Sequence, residues 1–290
     1  MKYKPIKTVV FTTVFDGIEL FFNDFLESLE LQTYKDFSLV IANDNFSKLN
    51  TYTNKSSIKD IHVIDVDSAP AENRVIGIKE CIDLGADIII FADSDDTFDK
   101  NRVETVHKYL LDKSFDILIN DINICSSELK ILNKNYFSKR LKNNYLIKFK
   151  DILNSNFCGL SNSAIKTNLI KNTSIIANDP FDWMLFSCLL LKSPKAVYTN
   201  ETSTHYRQHN SNFIGMCNMV NDDKLKHSID IKAKHYKILG KNNDSLEELS
   251  EYFNKISSME REELKNYYEY CYSNYHKNSF WWEEAKKMEF

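Results

Sequence analysis

Three aspartates directly follow an apolar stretch that has the composition of a buried strand. Residues 88–92 read Ile-Ile-Ile-Phe-Ala, and Asp93, Asp95 and Asp96 come next. Open α/β folds bind ligands at the carboxyl ends of their strands, so this cluster would face a ligand. Because carboxylates this close repel one another, a hard divalent cation such as Mg²⁺ or Mn²⁺, carrying substrate phosphates, is the expected partner. The alternative is a solvated acidic turn that caps the next helix.

Strand and helix patterns alternate through the first half of the chain. Strands are predicted at residues 7–15, 37–42, 61–66, 87–92 and 115–120, and helices at 18–31, 75–84 and 101–111. This alternation is typical of an α/β fold with a mostly parallel sheet and helices on both faces. The second half is less regular, with predicted elements at 157–165 (strand), 181–191 (helix), 196–198 (strand) and, from about 221 onward, helices rich in aromatic residues.

The bulk composition narrows the class of protein. The 290 residues are 43% hydrophobic and 27% charged with a net charge of −4, which is typical of a globular protein and gives no general attraction to nucleic acid. No apolar run has the length of a membrane span, and the first residues lead into a strand instead of a signal peptide. The six cysteines are scattered without a Cys-x-x-Cys pair, which favours reduced thiols in a cytoplasmic protein over a zinc site or disulfides.

Four segments occur in order along the chain: 13–37 (a strand end, then a helix running into Gln-Thr-Tyr), 40–44 (Val-Ile-Ala-Asn-Asp), 73–78 (Asn-Arg-Val-Ile-Gly-Ile) and 91–96 (an Asp-x-Asp element). Together they resemble glycosyltransferase family 2, whose nucleotide-sugar transferases have the Rossmann-like GT-A fold. The resemblance spans about residues 7–212. It implies a GT-A domain at 1–215, with a nucleotide-binding half at about 1–112 and an acceptor half at about 113–215. Residues 216–290 would form a helical C-terminal extension.

The resemblance implies a set of residues that bind the donor nucleotide. Asp44 would accept hydrogen bonds from the base, and this position favours a UDP-sugar because a buried acceptor rejects bases that lack the donor. Thr13, Phe15 and Asp16 would lie against the base and ribose. Arg74 would pair either with the diphosphate or with an aspartate of the acidic cluster.

The same resemblance implies a metal-assisted diphosphate site. Asp93 would hold the ribose, while Asp95 and Asp96 would bind Mn²⁺ or Mg²⁺. Residues 205–209, His-Tyr-Arg-Gln-His, are similar to a Tyr-Arg-x-His segment that closes over the diphosphate. Arg207 would therefore contact phosphate, and His209 phosphate or metal. A surface pair with no ligand is the alternative.

A general base is implied by residues 182–189, Asp-Trp-Met-Leu-Phe-Ser-Cys-Leu, which resemble the family's Glu-Asp-Tyr-Glu-Phe-Trp-Leu-Arg-Leu. Asp182 matches the base of an inverting displacement, in which an acceptor hydroxyl attacks the anomeric carbon opposite the diphosphate. Phe181 and Cys188 depart from the family pattern, so Asp179 remains a second candidate. Either carboxylate could instead cap the following helix.

Two other functions fit parts of the sequence. Residues 88–97 also fit the strand and Asp-x-Asp-x-Thr motif of haloacid dehalogenase-like phosphatases, with Asp93 as nucleophile and Asp95 as acid. That family usually carries this motif on its first strand, whereas strand–helix units precede it here. A domain that binds a nucleotide or glycan without turnover is the other alternative, and it requires that Asp182 is not a base.

Partners are suggested by two further segments. Residues 130–150 contain seven lysines and arginines and no acidic residue, and they include Tyr136 and Phe137. This segment could rest on anionic lipid at the inner face of the membrane, near a glycan or lipid-linked acceptor of polysaccharide biosynthesis; a solvated loop is the alternative. The aromatic C-terminal helices, ending in Phe280, Trp281 and Trp282, would pack on the main domain or form a homo-oligomer.

Overall fold

The computed structural model of the chain describes residues 7–171, 173–209, 220–240, 243–260 and 262–288. The chain divides into two compact units. The first unit comprises Met1–Phe149 and Cys158–Asn212, and the second comprises Lys150–Phe157 and Phe213–Phe290. Residues 150–157 thus belong to the second unit although they lie within the predicted acceptor half.

A ten-stranded sheet forms the centre of the first unit. Its strands are β1 (Thr8–Phe15), β2 (Ser38–Asp44), β3 (Ile61–Val66), β4 (Ile88–Phe91), β5 (Thr97–Phe98), β6 (Ile117–Cys125), β7 (Ile131–Asn133), β8 (Tyr145–Ile147), β9 (Ser163–Lys166) and β10 (Ala196–Arg207). Their order is β3-β2-β1-β4-β9-β6-β10-β5, with β7 on β6 and β8 on β10. β1 to β4 pair in parallel, as do β6 and β10, whereas β9 runs antiparallel between β4 and β6. The carboxyl ends of β1, β2 and β4 therefore lie side by side.

Helices cover both faces of this sheet. They are α1 (Phe22–Glu30), α2 (Leu49–Thr53), α3 (Pro70–Asp83), α4 (Arg102–His107), α5 (Thr167–Lys171) and α6 (Phe181–Leu190). Alternate strand residues such as Val10 and Ile90 pack in one buried cluster with apolar residues of α1 and α4. On the opposite face α3 meets β1 so closely that a Cβ on Gly77 would lie 2.2 Å from the Phe11 ring. The predicted α/β fold with helices on both faces is confirmed.

Most predicted elements of the first half agree with the structure. β3 matches the prediction for residues 61–66, and β1, β2 and β4 differ from theirs by one or two residues at an end. α3 begins at Pro70, five residues before the predicted start, because Pro is favoured in the first helical turn. After α4 the helix continues as a π-helical turn, Lys108–Asp112.

Two strand predictions in the second half have the wrong bounds. Residues 157–162 are not a strand, and pairing begins only at Ser163. The predicted short strand at 196–198 is the start of β10, which continues to Arg207. Its polar stretch is typical of a loop, but β-branched threonines fit a sheet, and the hydroxyls of Thr199 and Thr204 have hydrogen-bond partners. Thr204 Oγ1, for example, donates to the Ser161 carbonyl at 2.8 Å.

The second unit is mainly helical and contains α7 (Asp222–Leu239), α8 (Asp244–Ser257) and α9 (Lys265–Ser273). Its aromatic tail packs inside the unit: the Phe280 and Phe157 rings lie 5.0 Å apart, and Trp281 pairs with Asn156 through the backbone. The buried Lys232 donates to the Asn154 carbonyl at 2.6 Å. Among the helices of the described ranges, none combines the length and apolarity needed to cross a bilayer.

Candidate active site

The acidic loop of residues 92–96 leaves the carboxyl end of β4 and turns its aspartates in two directions. Asp93 and Asp95 are partly exposed, whereas Asp96 is 1% exposed. Ser94 Oγ donates to the carbonyl of Thr13 at 2.8 Å and so ties this loop to the end of β1. The predicted residues at the ends of β1 and β4 are therefore neighbours.

Asp96 points into the protein. Its carboxylate accepts hydrogen bonds from the Ser161 hydroxyl and from the backbone N–H of Arg207, the latter at 2.7 Å. Burial raises its pKa well above the usual range, and the negative charges of Asp95 and Asp93 add to this effect. In this arrangement Asp96 joins the acidic loop to the end of β10.

Asp95 meets His209 at the edge of the same loop. The Nε2 atom of His209 lies 3.0 Å from Oδ2 of Asp95, and the two side chains are 10% and 19% exposed. Across the described ranges, no group of three or more His, Cys, Asp or Glu side chains is arranged to hold a metal ion. The Asp95–His209 pair nevertheless offers one oxygen and one nitrogen ligand, and a divalent ion that shares its shell with a diphosphate fits such an incomplete protein set.

Arg207 is an internal residue, with a side chain that is 2% exposed. Its guanidinium donates to the Asp95 carbonyl at 2.7 Å, to the Ser127 carbonyl at 2.6 Å and to the Asp24 carboxylate at 2.8 Å. These contacts engage the guanidinium with protein groups, although the sequence suggested a phosphate contact. Through its hydrogen bond to the Asp95 carbonyl, the buried Arg207 side chain supports the acidic loop from the protein interior.

Asp182, on the first turn of α6, lies among charged residues that are distant in sequence. Burial raises its pKa to about 6, while the Trp183 N–H at 2.7 Å and the charge of Arg74 oppose the shift. Asp93 also has a raised pKa, chiefly through burial and the charge of Asp95, and it interacts with both Arg74 and Asp182. Asp179 is exposed, and its negative charge adds to the rise in the pKa of Asp182. The positive charge of Arg74 thus acts on Asp93 and Asp182, and the choice between its two predicted roles stays open.

Asp44 lies at the end of β2, on the far side of β1 from the acidic loop. The ends of β2 and β4 are separated by two strand spacings, about 10 Å, so one extended ligand could reach both. The Asn73 side-chain amide donates to Asp44 Oδ2 at 3.1 Å and to the Ser68 carbonyl at 3.0 Å. Between these two strand ends, Phe15 is 47% exposed at the end of β1 and Asp16 follows it in an exposed turn.

Several residues that organise this region were not predicted from the sequence. Asn73 orients Asp44 and lies within a quoted motif, so the signal was present. Arg102 had no such signal: it is 2% exposed, donates to the carbonyl of Phe91 at 2.7 Å and carries its charge next to Asp93 and Asp96. Burial lowers its pKa to about 9, so it remains a cation at neutral pH.

A sequence model described as Glycosyl transferase family 2 matches residues 9–173. No curated protein sequence matches the chain significantly.

Solved structures match over most of the chain. S. aureus TarS 1–349 in complex with UDP-GlcNAc has a TM-score of 0.64 and 14% identity, covering 89% of this chain and 75% of that one. The same protein in complex with UDP has a TM-score of 0.59 and 15% identity, with coverages of 89% and 74%. GalNAc-T7 with UDP, GalNAc and Mn²⁺ has a TM-score of 0.60 and 10% identity, with coverages of 97% and 56%. At these identities the likeness shows the fold, which is that of GT-A glycosyltransferases.

The family match covers more than half of the chain, and its range contains the acidic loop, Asp44 and Arg74. It does not support the phosphatase alternative, whose motif usually lies on the first strand, whereas three strands precede β4 here. The chain therefore belongs to glycosyl transferase family 2 and is a glycosyltransferase with the GT-A fold.

Proposed function

We propose that this glycosyltransferase moves a sugar from a UDP-sugar to a hydroxyl of a glycan or lipid-linked glycan, with inversion at the anomeric carbon. The observation that supports this most is the grouping of Asp182 and Arg74 with Asp93 of the acidic loop, because it combines a carboxylate of raised pKa with a neighbouring acidic group and a positive charge. The solved relatives that contain UDP or UDP-GlcNAc support the choice of nucleotide.

The donor base is proposed to bind at the ends of β1 and β2. Asp44 accepts from the uracil N–H, and Asn73 holds that carboxylate in one orientation through its 3.1 Å hydrogen bond. The exposed Phe15 ring offers a face for the base, while Thr13 and Asp16 lie on the ribose side. Asp93 follows β4, which lies two strand spacings, about 10 Å, from β2, and it is then within reach of the ribose and diphosphate.

Asp95 and His209 are proposed to hold Mn²⁺ or Mg²⁺ together with the diphosphate, and Asp96 anchors the loop that carries them. The bound cation would offset the negative charge that develops on the departing nucleoside diphosphate. Arg74 adds a fixed positive charge on the side of Asp93 and Asp182. The GalNAc-T7 structure that contains Mn²⁺ supports the choice of a divalent cation.

Asp182 is proposed as the general base. With a pKa of about 6 it is ionised at neutral pH, yet it is a stronger base than an ordinary aspartate. It takes the proton of the acceptor hydroxyl, whose oxygen forms the new bond to the anomeric carbon while the bond to the diphosphate oxygen breaks. The electron pair of that bond leaves with the nucleotide, so protonation of the leaving group is not required.

UDP release from a panel of UDP-sugars, measured with Mn²⁺ and with EDTA, tests the proposal. Wild-type protein is expected to release UDP only with metal, and Asp179→Asn, which changes the neighbouring exposed carboxylate, is the matched control for Asp182→Asn. If Asp182→Asn binds UDP and Mn²⁺ as wild type does and keeps full turnover, the assignment of the base is wrong. If wild-type protein binds UDP without ever turning over a donor, the binding-module alternative is favoured.

Contact with an anionic membrane is a separate part of the proposal. The basic side chains of residues 130–148 are exposed, and so are Ile131, Leu132 and Leu146 at 45%, 56% and 58%. Tyr136 and Phe137, which the sequence suggested as aromatic contacts, are buried instead. Lysines next to exposed aliphatic side chains suit anionic lipid headgroups.

Sedimentation with phosphatidylglycerol vesicles at low salt tests this contact, with phosphatidylcholine vesicles as the control. Binding is expected only to the anionic vesicles and should weaken in the Lys130→Glu, Lys134→Glu double variant. A protein that stays in the supernatant with both lipids would exclude the contact.

A further inference from the structure

Two residues at the start of α1, Phe21 and Asp24, contact residues at and just beyond the end of β10. Phe21, immediately before α1, stacks its ring on the His209 imidazole with centroids 4.5 Å apart and planes at 28°. The same ring lies 4.7 Å from the guanidinium carbon of Arg207. Phe21 is therefore in contact with both residues that reach the acidic loop from the end of β10.

Asp24 completes this arrangement one helical turn later. Its carboxylate accepts from Nη2 of Arg207 at 2.8 Å, while Arg207 Nε donates to the Asp95 carbonyl at 2.7 Å. Residues three apart on a helix lie on one face, and both Phe21 and Asp24 contact the Arg207 guanidinium. Arg207 and His209, two apart on an extended segment, likewise share one side.

We propose that Phe21 and Asp24 are positioning residues for the cation site, an inference that rests on the proposed function. They act through His209 and Arg207: Phe21 restricts the imidazole to the orientation in which Nε2 lies 3.0 Å from Asp95, and Asp24 fixes the arginine that holds the Asp95 backbone. Restricting a ligand's side chain before the metal binds removes an entropic cost of binding. The segment that carries them directly follows Phe15 and Asp16, so the proposed base site and cation site share one support.

Binding of Mn²⁺ in the presence of UDP, read from the free-ion signal in electron paramagnetic resonance, tests the proposal without turnover. Phe21→Ala is expected to weaken Mn²⁺ binding about tenfold, as for other residues that orient metal ligands. Phe21→Tyr keeps the ring and should restore affinity. Leu20→Ala, at a neighbouring side chain that is 81% exposed, is the matched control and should leave affinity unchanged.

A purely structural role would weaken binding in every background, so the double variant discriminates. In a His209→Ala protein, Phe21→Ala should have no further effect on Mn²⁺ affinity, because the side chain it orients is absent. Independent effects of the two substitutions, or equal affinities of Phe21→Ala and Leu20→Ala, would overturn the proposal.

A metal-free measurement separates this inference from the proposed function. Modification of His209 by diethyl pyrocarbonate, quantified by mass spectrometry, should be severalfold faster in Phe21→Ala than in Leu20→Ala, with His62, whose side chain is 39% exposed, as internal reference. Unchanged modification rates would contradict the positioning of His209. If the rates differ but wild-type protein binds neither Mn²⁺ nor UDP, the proposed function fails while the positioning role stands.

Discussion

Asp121 and Asp182 are carboxylates of the same unit in opposite situations. Asp121, on β6, is 1% exposed and accepts from the N–H groups of Ile122 and Phe137 at 2.8 Å and from the Ser138 hydroxyl at 2.6 Å. Asp182 lies near two other carboxylates, and burial raises its pKa to about 6. Hydrogen-bond donors satisfy the first carboxylate, whereas burial makes ionisation of the second less favourable.

This contrast distinguishes a carboxylate that stabilises the fold, Asp121, from one suited to accept a proton, Asp182. A carboxylate surrounded by donors stabilises the fold, since each donor would otherwise be buried without a partner. A carboxylate whose ionised form is disfavoured by burial is costly to the fold, and such strain is common where a base must accept a proton. Substitutions at the two positions should therefore have effects of opposite kind.

The largest expected effect is loss of turnover in Asp182→Asn. Removing a general base should lower kcat about thousandfold while KM for the donor changes little. Steady-state UDP release measures this, and a kcat within about tenfold of wild type would place Asp182 with Asp121 as a structural acid.

Asp121→Asn should instead unfold the protein more easily. The amide cannot accept from all of the donors, so the free energy of unfolding should fall by about 3 kcal/mol. Urea denaturation followed by circular dichroism measures this, with kcat determined well below the transition. If Asp121→Asn is as stable as the wild-type protein, Asp121 does not have the structural role assigned to it.

Asp95→Ala tests the acidic loop, whose Asp93 interacts with Asp182. Loss of a metal ligand should lower turnover about hundredfold at fixed Mn²⁺, with part of the loss recovered as Mn²⁺ is raised. Turnover that does not depend on Mn²⁺ in either protein would exclude the metal-assisted mechanism.

Asp182→Asn should also raise stability, but only at neutral pH. The folded-state pKa of about 6 exceeds the ordinary value of 3.8, so wild-type stability falls as pH rises between these values and the cost is complete above pH 6. Removing the ionisable group should therefore add about 1 to 3 kcal/mol at pH 7.5 and nothing at pH 4. Equal melting temperatures of both proteins at pH 7.5 would argue against a raised pKa.

The smallest predicted effect concerns Arg74. The kcat of wild-type protein should fall below about pH 6 as Asp182 is protonated. Because the charge of Arg74 lowers the pKa of Asp182, Arg74→Met should move this acid limb upward by about one pH unit. Profiles of kcat against pH measure the shift, and a limb that moves downward would contradict the assignment of Asp182.

The strands of the nucleotide-binding half and the α/β fold were predictable because their apolar periodicity is local. The acidic loop was predictable for the same reason: an apolar run followed directly by aspartates indicates a buried strand that ends at those aspartates. The end of β10 was missed because its threonines and serines are polar in sequence and become acceptable in a strand only through partners such as the Ser161 carbonyl. Local patterns carry no information about such distant partners.

Residue types and their spacing determined which strand ends carry aspartates. The ends of strands and the turns that follow them depend on short-range sterics and on the hydrophobic pattern. Tertiary structure alone decided that Asp182 joins Asp93 and Arg74, that Asp96 turns inward to Ser161, and that Phe21 stacks on His209. Each of these contacts joins segments far apart along the chain, and their geometry depends on how the sheet orders its strands. Burial and neighbouring charge, which set the pKa of each group, exist only after that ordering.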